Sequence, residues 1–239
     1  MTLLNLSCGC IAVFYALEGQ FEATALFVCL GIFFDFFDGL AARALHVQSD
    51  LGLQLDSLAD MVTSGLVPGV VMCKLLDMAL VSSGHVDAWS VEPSFAVLPV
   101  HPLALLGLLI TLGSAYRLAH FNIDAEQQSY FKGLPTPANA LMIISLPLIL
   151  NAGGSSVATQ VLLNPWILMV LTVLSCYLLN SKMKLFALKF KSWDWKSNTL
   201  RYGFLILTVL LLLALQLVAI PMIILLYFLV SLFNQKHIH

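Results

Sequence analysis

Apolar residues in this chain come in long runs rather than in alternation, and the runs approach the ~20 residues that a membrane-crossing helix needs. They fall at about 3–18, 22–42, 51–73, 102–119, 134–151, 164–180, 203–217 and 219–233. Short polar connections separate them, with a longer one at 77–98 that carries Asp77, Asp87 and Glu92. The last two runs flank Pro221 and predict a tight helical hairpin. The pattern predicts an all-α integral membrane protein, a polytopic bundle of about eight helices.

Composition agrees. Of 239 residues 60% are hydrophobic and 10% charged, against about 25% charged in a soluble domain. So little charge cannot wet a water-facing surface, so lipid must be the main solvent. The net charge of −2 and the absence of long charged runs give no sign of a nucleic-acid partner. Cys8, Cys10, Cys29, Cys73 and Cys176 lie in or beside apolar runs. No His or second Cys pair stands near Cys8-x-Cys10 to complete a zinc site, so all five read as small buried hydrophobes. Leu3 to Leu17 lacks a basic lead and reads as a retained helix rather than a cleaved signal.

The placement of basic residues orients the bundle. With a cytoplasmic N-terminus, Arg43, Arg117, Lys132, Lys182, Lys184, Lys189, Lys191, Lys196, Arg201 and Lys236 all fall on the cytoplasmic side, and Lys74 alone on the other. That is the positive-inside bias. The stretch 181–201 interleaves basic and aromatic residues. It reads equally as a helix lying on an anionic leaflet or as an ordinary cytoplasmic loop.

Candidate chemistry concentrates between Asp35 and Asp60. Asp35 and Asp38 are three apart and Asp56 and Asp60 four apart, so each pair projects from one helix face. The short connection at 44–50 predicts that the two helices are antiparallel neighbours whose carboxylates converge at the cytoplasmic mouth. A charge at the centre of a membrane helix costs roughly 2.5–3.5 kcal/mol, and clustered carboxylates repel. Oxygen-only ligands suit Mg²⁺ or Mn²⁺, and two such ions would clamp both oxygens of a phosphoryl transfer. Intramembrane acids also line cation or proton pathways, so the acids alone leave a transporter open. Gly39 and Gly52, which let a backbone or ligand approach, and Arg43, a planar fork suited to phosphate, favour the transferase.

Asp35-xx-Asp38-Gly39-xx-Ala42-Arg43, eight residues, then Gly52-xxx-Asp56-xxx-Asp60 resembles the complete signature of the CDP-alcohol phosphotransferase family. The resemblance implies a six-helix core with a cytoplasmic two-metal site, extended here by about two C-terminal helices. It implies Asp35, Asp38, Asp56 and Asp60 as metal ligands, Asp60 also taking the acceptor's proton. Gly39, Arg43, Ser49 and Gly52 match positions about the CDP-linked lipid, and Asn5 is a further candidate for nucleotide contact. Homodimers are common in the family, so a dimer is expected.

The flanks NLSCG (5–9), LDSLADMVTSGLVPG (55–69), YRLAHFN (116–122) and FKGLPTPANA (131–140) are similar to the membrane-embedded serine-using branch. This implies CDP-diacylglycerol and L-serine as substrates. Arg117 would hold the serine carboxylate bidentately, with Asn122 orienting it; both residues also read as an interfacial anchor and a helix end. Pro135 and Pro137 either shape the pocket wall or start a helix. Position 120 is His where the branch more often has Arg, and the usual basic lead is absent before Thr2. Glycerol 3-phosphate or inositol phosphate acceptors would favour more basic residues than Lys74, Arg117 and Lys132, which are all that 44–133 provides. The expected organisation is a core at 1–180, a basic cytoplasmic loop at 181–201, and a hairpin and tail at 202–239.

Overall fold

The computed structural model describes residues 1–45, 49–83, 100–123, 131–153, 156–181, 183–185 and 199–233. Helices α1 (Thr2–Leu17) and α2 (Phe21–Ala44) form the first pair. Helix α3 (Asp50–Asp60), a π-helical turn (Met61–Leu66) and α4 (Val67–Ser82) follow as one continuous rod of 33 residues, about 50 Å long at 1.5 Å per residue. A 3-10 turn (Pro102–Leu108) leads into α5 (Leu109–Ile123). After it come α6 (Thr136–Asn151), the short α7 (Ser156–Leu162), α8 (Pro165–Asn180), α9 (Thr199–Leu215) and α10 (Ala219–Phe233).

Local sequence explains the boundaries. Ser49 caps α3, its hydroxyl accepting from the Gly52 N–H at 3.1 Å. Asn164 caps α8, its carboxamide oxygen accepting from Trp166 and Ile167, and Pro165 occupies the first turn, where its missing N–H costs nothing. Pro68 explains the π turn. Proline cannot donate within a helix and crowds the carbonyl four residues back, and the backbone widens just before it, the Val67 N–H reaching Val62.

The rod is the centre of the molecule. Val67, Val71, Met72, Leu75, Leu76 and Ala79 are fully buried, enclosed by α1, α6, α8 and the 3-10 turn. The outer helices turn Phe33, Phe36, Val170, Tyr177, Leu210 and Leu213 outward, as helices in lipid do. Among the described residues four stretches are long and apolar enough to cross a membrane: Phe21–Ala42, Asp50–Ser82, Pro102–Ile123 and Tyr202–Ser231. Three further apolar helices, Thr2–Leu17, Thr136–Asn151 and Pro165–Asn180, are shorter.

Several expectations need correction. The run at 51–73 is part of a helix that continues to Ser82. The C-terminal stretch does fold back, since the Phe204 and Tyr227 rings lie 5.8 Å apart. Its turn, however, is at Gln216–Val218, with Gln216 in the left-handed region at φ 48°, and Pro221 lies inside the first turn of α10. Cys8 and Cys73 are buried as expected, but Cys10 and Cys29 face outward. Besides the helices, the described residues include one antiparallel ladder, β1 (Phe131–Lys132) with β2 (Lys184–Leu185).

That ladder ties the entry of α6 to the end of α8. Gly133 has φ +73°, and a Cβ there would lie 2.5 Å from the Leu179 carbonyl oxygen. Its N–H donates to Met183 at 3.1 Å, and that of Leu134 to Leu178 at 2.9 Å. Most of the 181–201 stretch, the 84–99 part of the long connection and the tail from 234 lie outside the described residues.

Candidate active site

The carboxylates of α2 and α3 meet at one end of the bundle. Asp35 is in hydrogen-bond contact with Asp56 and lies in the field of Asp60 and Asp38. Asp60 in turn faces the charges of Asp56 and Arg117, the latter on α5, which packs against the π turn. The expected side-by-side pairing of α2 and α3 is not what brings the acids together. These two helices touch only slightly, whereas α1 packs along α2 and also against α3, the π turn and α4. The carboxylates converge over α1.

Helix α1 contributes directly to this cluster. Asn5 is fully buried, and its carboxamide Nδ2 lies 3.4 Å from an oxygen of Asp35 and 3.3 Å from one of Asp60. The Thr2 hydroxyl donates to Asp38. Asn5 therefore lies among the acids, a placement its position in an apolar run did not signal.

The remaining candidates are distributed around this centre. Gly39 is exposed on α2, directly after Asp38. Arg43 belongs to α2, but its side chain lies outside the described residues. Gly52 has no other helix against it; a Cβ there would meet only the Ser49 hydroxyl, at 3.1 Å. Among the described residues no neighbouring helix makes the close approach expected there.

On α5, the buried Nε of Arg117 has no hydrogen-bond partner among the described residues. The Asn122 carboxamide brackets the Ser57 hydroxyl, with Nδ2 at 2.9 Å and Oδ1 at 3.2 Å, tying α5 to the residue next to Asp56. Ser57 was not foreseen, and the only trace of it is its place inside the LDSLAD run. His120 is exposed, its ring 6.2 Å from that of Tyr116, as suits an interfacial residue. Pro135 and Pro137 lie at the start of α6.

Among the described residues no three His, Cys, Asp or Glu side chains are gathered closely enough to hold a metal ion as they stand. The donor chemistry nevertheless fits a hard divalent cation. The acids supply only carboxylate oxygens, and carboxyl groups in contact, as those of Asp35 and Asp56 are, need a shared proton or a cation to sit together.

A profile of the CDP-alcohol phosphatidyltransferase family matches residues 1–178, and the chain belongs to that family. It is similar to the CDP-diacylglycerol–serine O-phosphatidyltransferase of Bacillus subtilis, at 31% identity over 151 residues, 63% of this chain and 75% of the relative. The enzyme of that name from Mycobacterium tuberculosis is 34% identical over 146 residues, 61% of this chain but 46% of the relative. The archaetidylserine synthase of Methanothermobacter thermautotrophicus is 29% identical over 171 residues, 68% of this chain and 64% of the relative. The matched part thus spans less than half of the mycobacterial protein.

Proposed function

We propose that this protein transfers a phosphatidyl group from CDP-diacylglycerol to the hydroxyl of L-serine, with release of CMP. The observation that carries the reading is the meeting of Asp35, Asp56 and Asp60 with Arg117 in a family of phosphatidyltransferases. The choice of acceptor is supported by relatives named for serine in two bacteria and for archaetidylserine in an archaeon.

Asp35, Asp38, Asp56 and Asp60 would hold two Mg²⁺ or Mn²⁺ ions. When bound, such ions neutralise the pyrophosphate oxygens and the developing charge of the departing CMP. Asp60 accepts the proton of the serine hydroxyl, as a positioned carboxylate within reach can. The hydroxyl oxygen then bonds to the lipid-side phosphorus while the bond from that phosphorus to the CMP oxygen breaks. Gly39 and Gly52 would leave room for the nucleotide, and Arg43 and Ser49 would bind its phosphates. Asn5 contacts the nucleotide and also orients Asp35 and Asp60, against which its carboxamide lies. Arg117 holds the serine carboxylate as a bidentate fork, and Asn122 steadies α5 through Ser57.

This reading includes an arrangement in the membrane: eight crossings, of which a six-helix core within 1–180 carries the chemistry, a basic cytoplasmic loop at 181–201, and a hairpin and tail at 202–239. The site faces the cytoplasm at the inner membrane of a prokaryote, and the chain works as a homodimer.

An acceptor screen tests the function. Purified protein with CDP-diacylglycerol and Mn²⁺ or Mg²⁺ is given labelled serine, glycerol 3-phosphate or inositol phosphate. Lipid-borne label and CMP should appear with serine; label from a phosphate-bearing acceptor instead, or cation flux without lipid product, would overturn the reading. Arg117→Ala should raise the serine KM about tenfold or more, in line with loss of a charge-assisted contact, and leave the CDP-diacylglycerol KM nearly unchanged. An unaltered serine KM would remove Arg117 from the pocket.

A further inference from the structure

One polar group beneath the carboxylates takes no part in the proposed chemistry. Thr63, in the π turn, is fully buried, and its hydroxyl donates to the backbone carbonyl of Asn5 at 3.1 Å. Asn5 is the residue whose carboxamide lies against both Asp35 and Asp60.

The surroundings of Thr63 are shaped to hold it there. A Cβ on Gly9 of α1 would run into the Thr63 hydroxyl and backbone. A Cβ on Gly31 of α2 would lie 2.7 Å from the Thr63 methyl and 2.8 Å from the Asn5 carboxamide oxygen. Gly9 follows Asn5 by four residues and Gly31 precedes Asp35 by four, so each shares a helix face with the residue it supports. Thr63 itself follows Asp60 by three residues across the start of the π turn, a backbone form that recurs at functional sites. Three segments that carry or orient the acids thus meet on one threonine.

We infer that Thr63 is a positioning residue: acting through Asn5, it sets the spacing between Asp35 on α2 and Asp60 on α3. The inference rests on the proposed role of those acids, and its readout does not require the acceptor to be serine. Valine keeps the branched shape and puts a methyl where the hydroxyl stood, which makes Thr63→Val the informative change. Groups that orient metal ligands typically contribute 10–100-fold to metal affinity or activity.

The test uses the full chain purified in detergent, with Mn²⁺ binding followed by electron paramagnetic resonance alongside kcat and KM. Thr63→Val should fold with an almost unchanged Tm, bind Mn²⁺ about tenfold more weakly and lose about tenfold in kcat, with little change in the CDP-diacylglycerol KM. Thr63→Ser, which restores the hydroxyl without the methyl, should recover most of both. Gly31→Ala, which pushes on the Asn5 carboxamide from the far side, should weaken Mn²⁺ binding in the same sense. Wild-type Mn²⁺ affinity in Thr63→Val would overturn the inference, as would a Thr63→Ser variant no better than the valine. If no serine is transferred by any variant yet the Mn²⁺ series holds, the acceptor reading has failed and the positioning role stands.

Discussion

The rod Asp50–Ser82 and the hairpin Tyr202–Ser231 are both strongly apolar, yet 61% of the rod's most apolar window is buried and only 6% of the hairpin's. Hydrophobicity therefore does not decide which helix is interior when lipid is the solvent. The hairpin is almost wholly aliphatic and turns Leu207, Leu210 and Leu213 outward. The rod holds Thr63, Ser64, Gly65 and Gly69, small or hydroxyl-bearing residues that let neighbours approach closely and give them something to bond. These mark the inside of a membrane bundle, and in this chain they lie next to the acids. The family match ends at residue 178, so the hairpin lies beyond the shared part.

Substitutions in the two regions should separate sharply. Asp60→Asn, at the end of α3, is expected to lower turnover by about 10²–10⁴-fold, the usual contribution of a general base, while CDP-diacylglycerol binding persists; label incorporation beside a binding assay checks both. Leu76→Ala, at a fully buried position of α4, should cost about 2 kcal/mol or more by opening a cavity, visible as a lowered Tm in detergent.

The hairpin should respond weakly. Gln216→Gly removes about 1 kcal/mol of left-handed strain and returns part of it as greater freedom of the unfolded chain. Stability should rise by less than about 1 kcal/mol, with turnover untouched. Leu213→Ala, at a position 77% exposed, should stay within about 0.5 kcal/mol of the wild type. A large loss in Leu213→Ala would mean that a partner rather than lipid covers that face.

Features set by local spacing were legible in the sequence. The apolar runs locate the helices, because length and hydropathy alone define such a segment, and the intervals between Asp35, Asp38, Asp56 and Asp60 show that each pair shares a face. Features set by long-range contact were not. The bond from Thr63 to Asn5 joins positions 58 apart, and nothing near either residue announces it. That α1 rather than direct α2–α3 packing gathers the acids is equally invisible in a short connection. Pro221 looked like the hairpin turn because proline usually breaks helices, but it also fits the first turn of one, and the chain bends five residues earlier at Gln216. Cys10 and Cys29 face outward because, in lipid, an apolar residue gains nothing by being inside.

The claim beneath all of this is that acids from α2 and α3 share divalent cations. Electron paramagnetic resonance of purified protein titrated with Mn²⁺ tests it most directly, compared with a double variant, Asp35→Asn with Asp56→Asn, that removes the touching pair. The account predicts two saturable Mn²⁺ per wild-type chain, with the broadened spectrum of neighbouring ions, and loss of that signal in the double variant. An unchanged stoichiometry in the variant, or a wild-type protein that transfers phosphatidyl groups with no Mn²⁺ or Mg²⁺ bound, would contradict it.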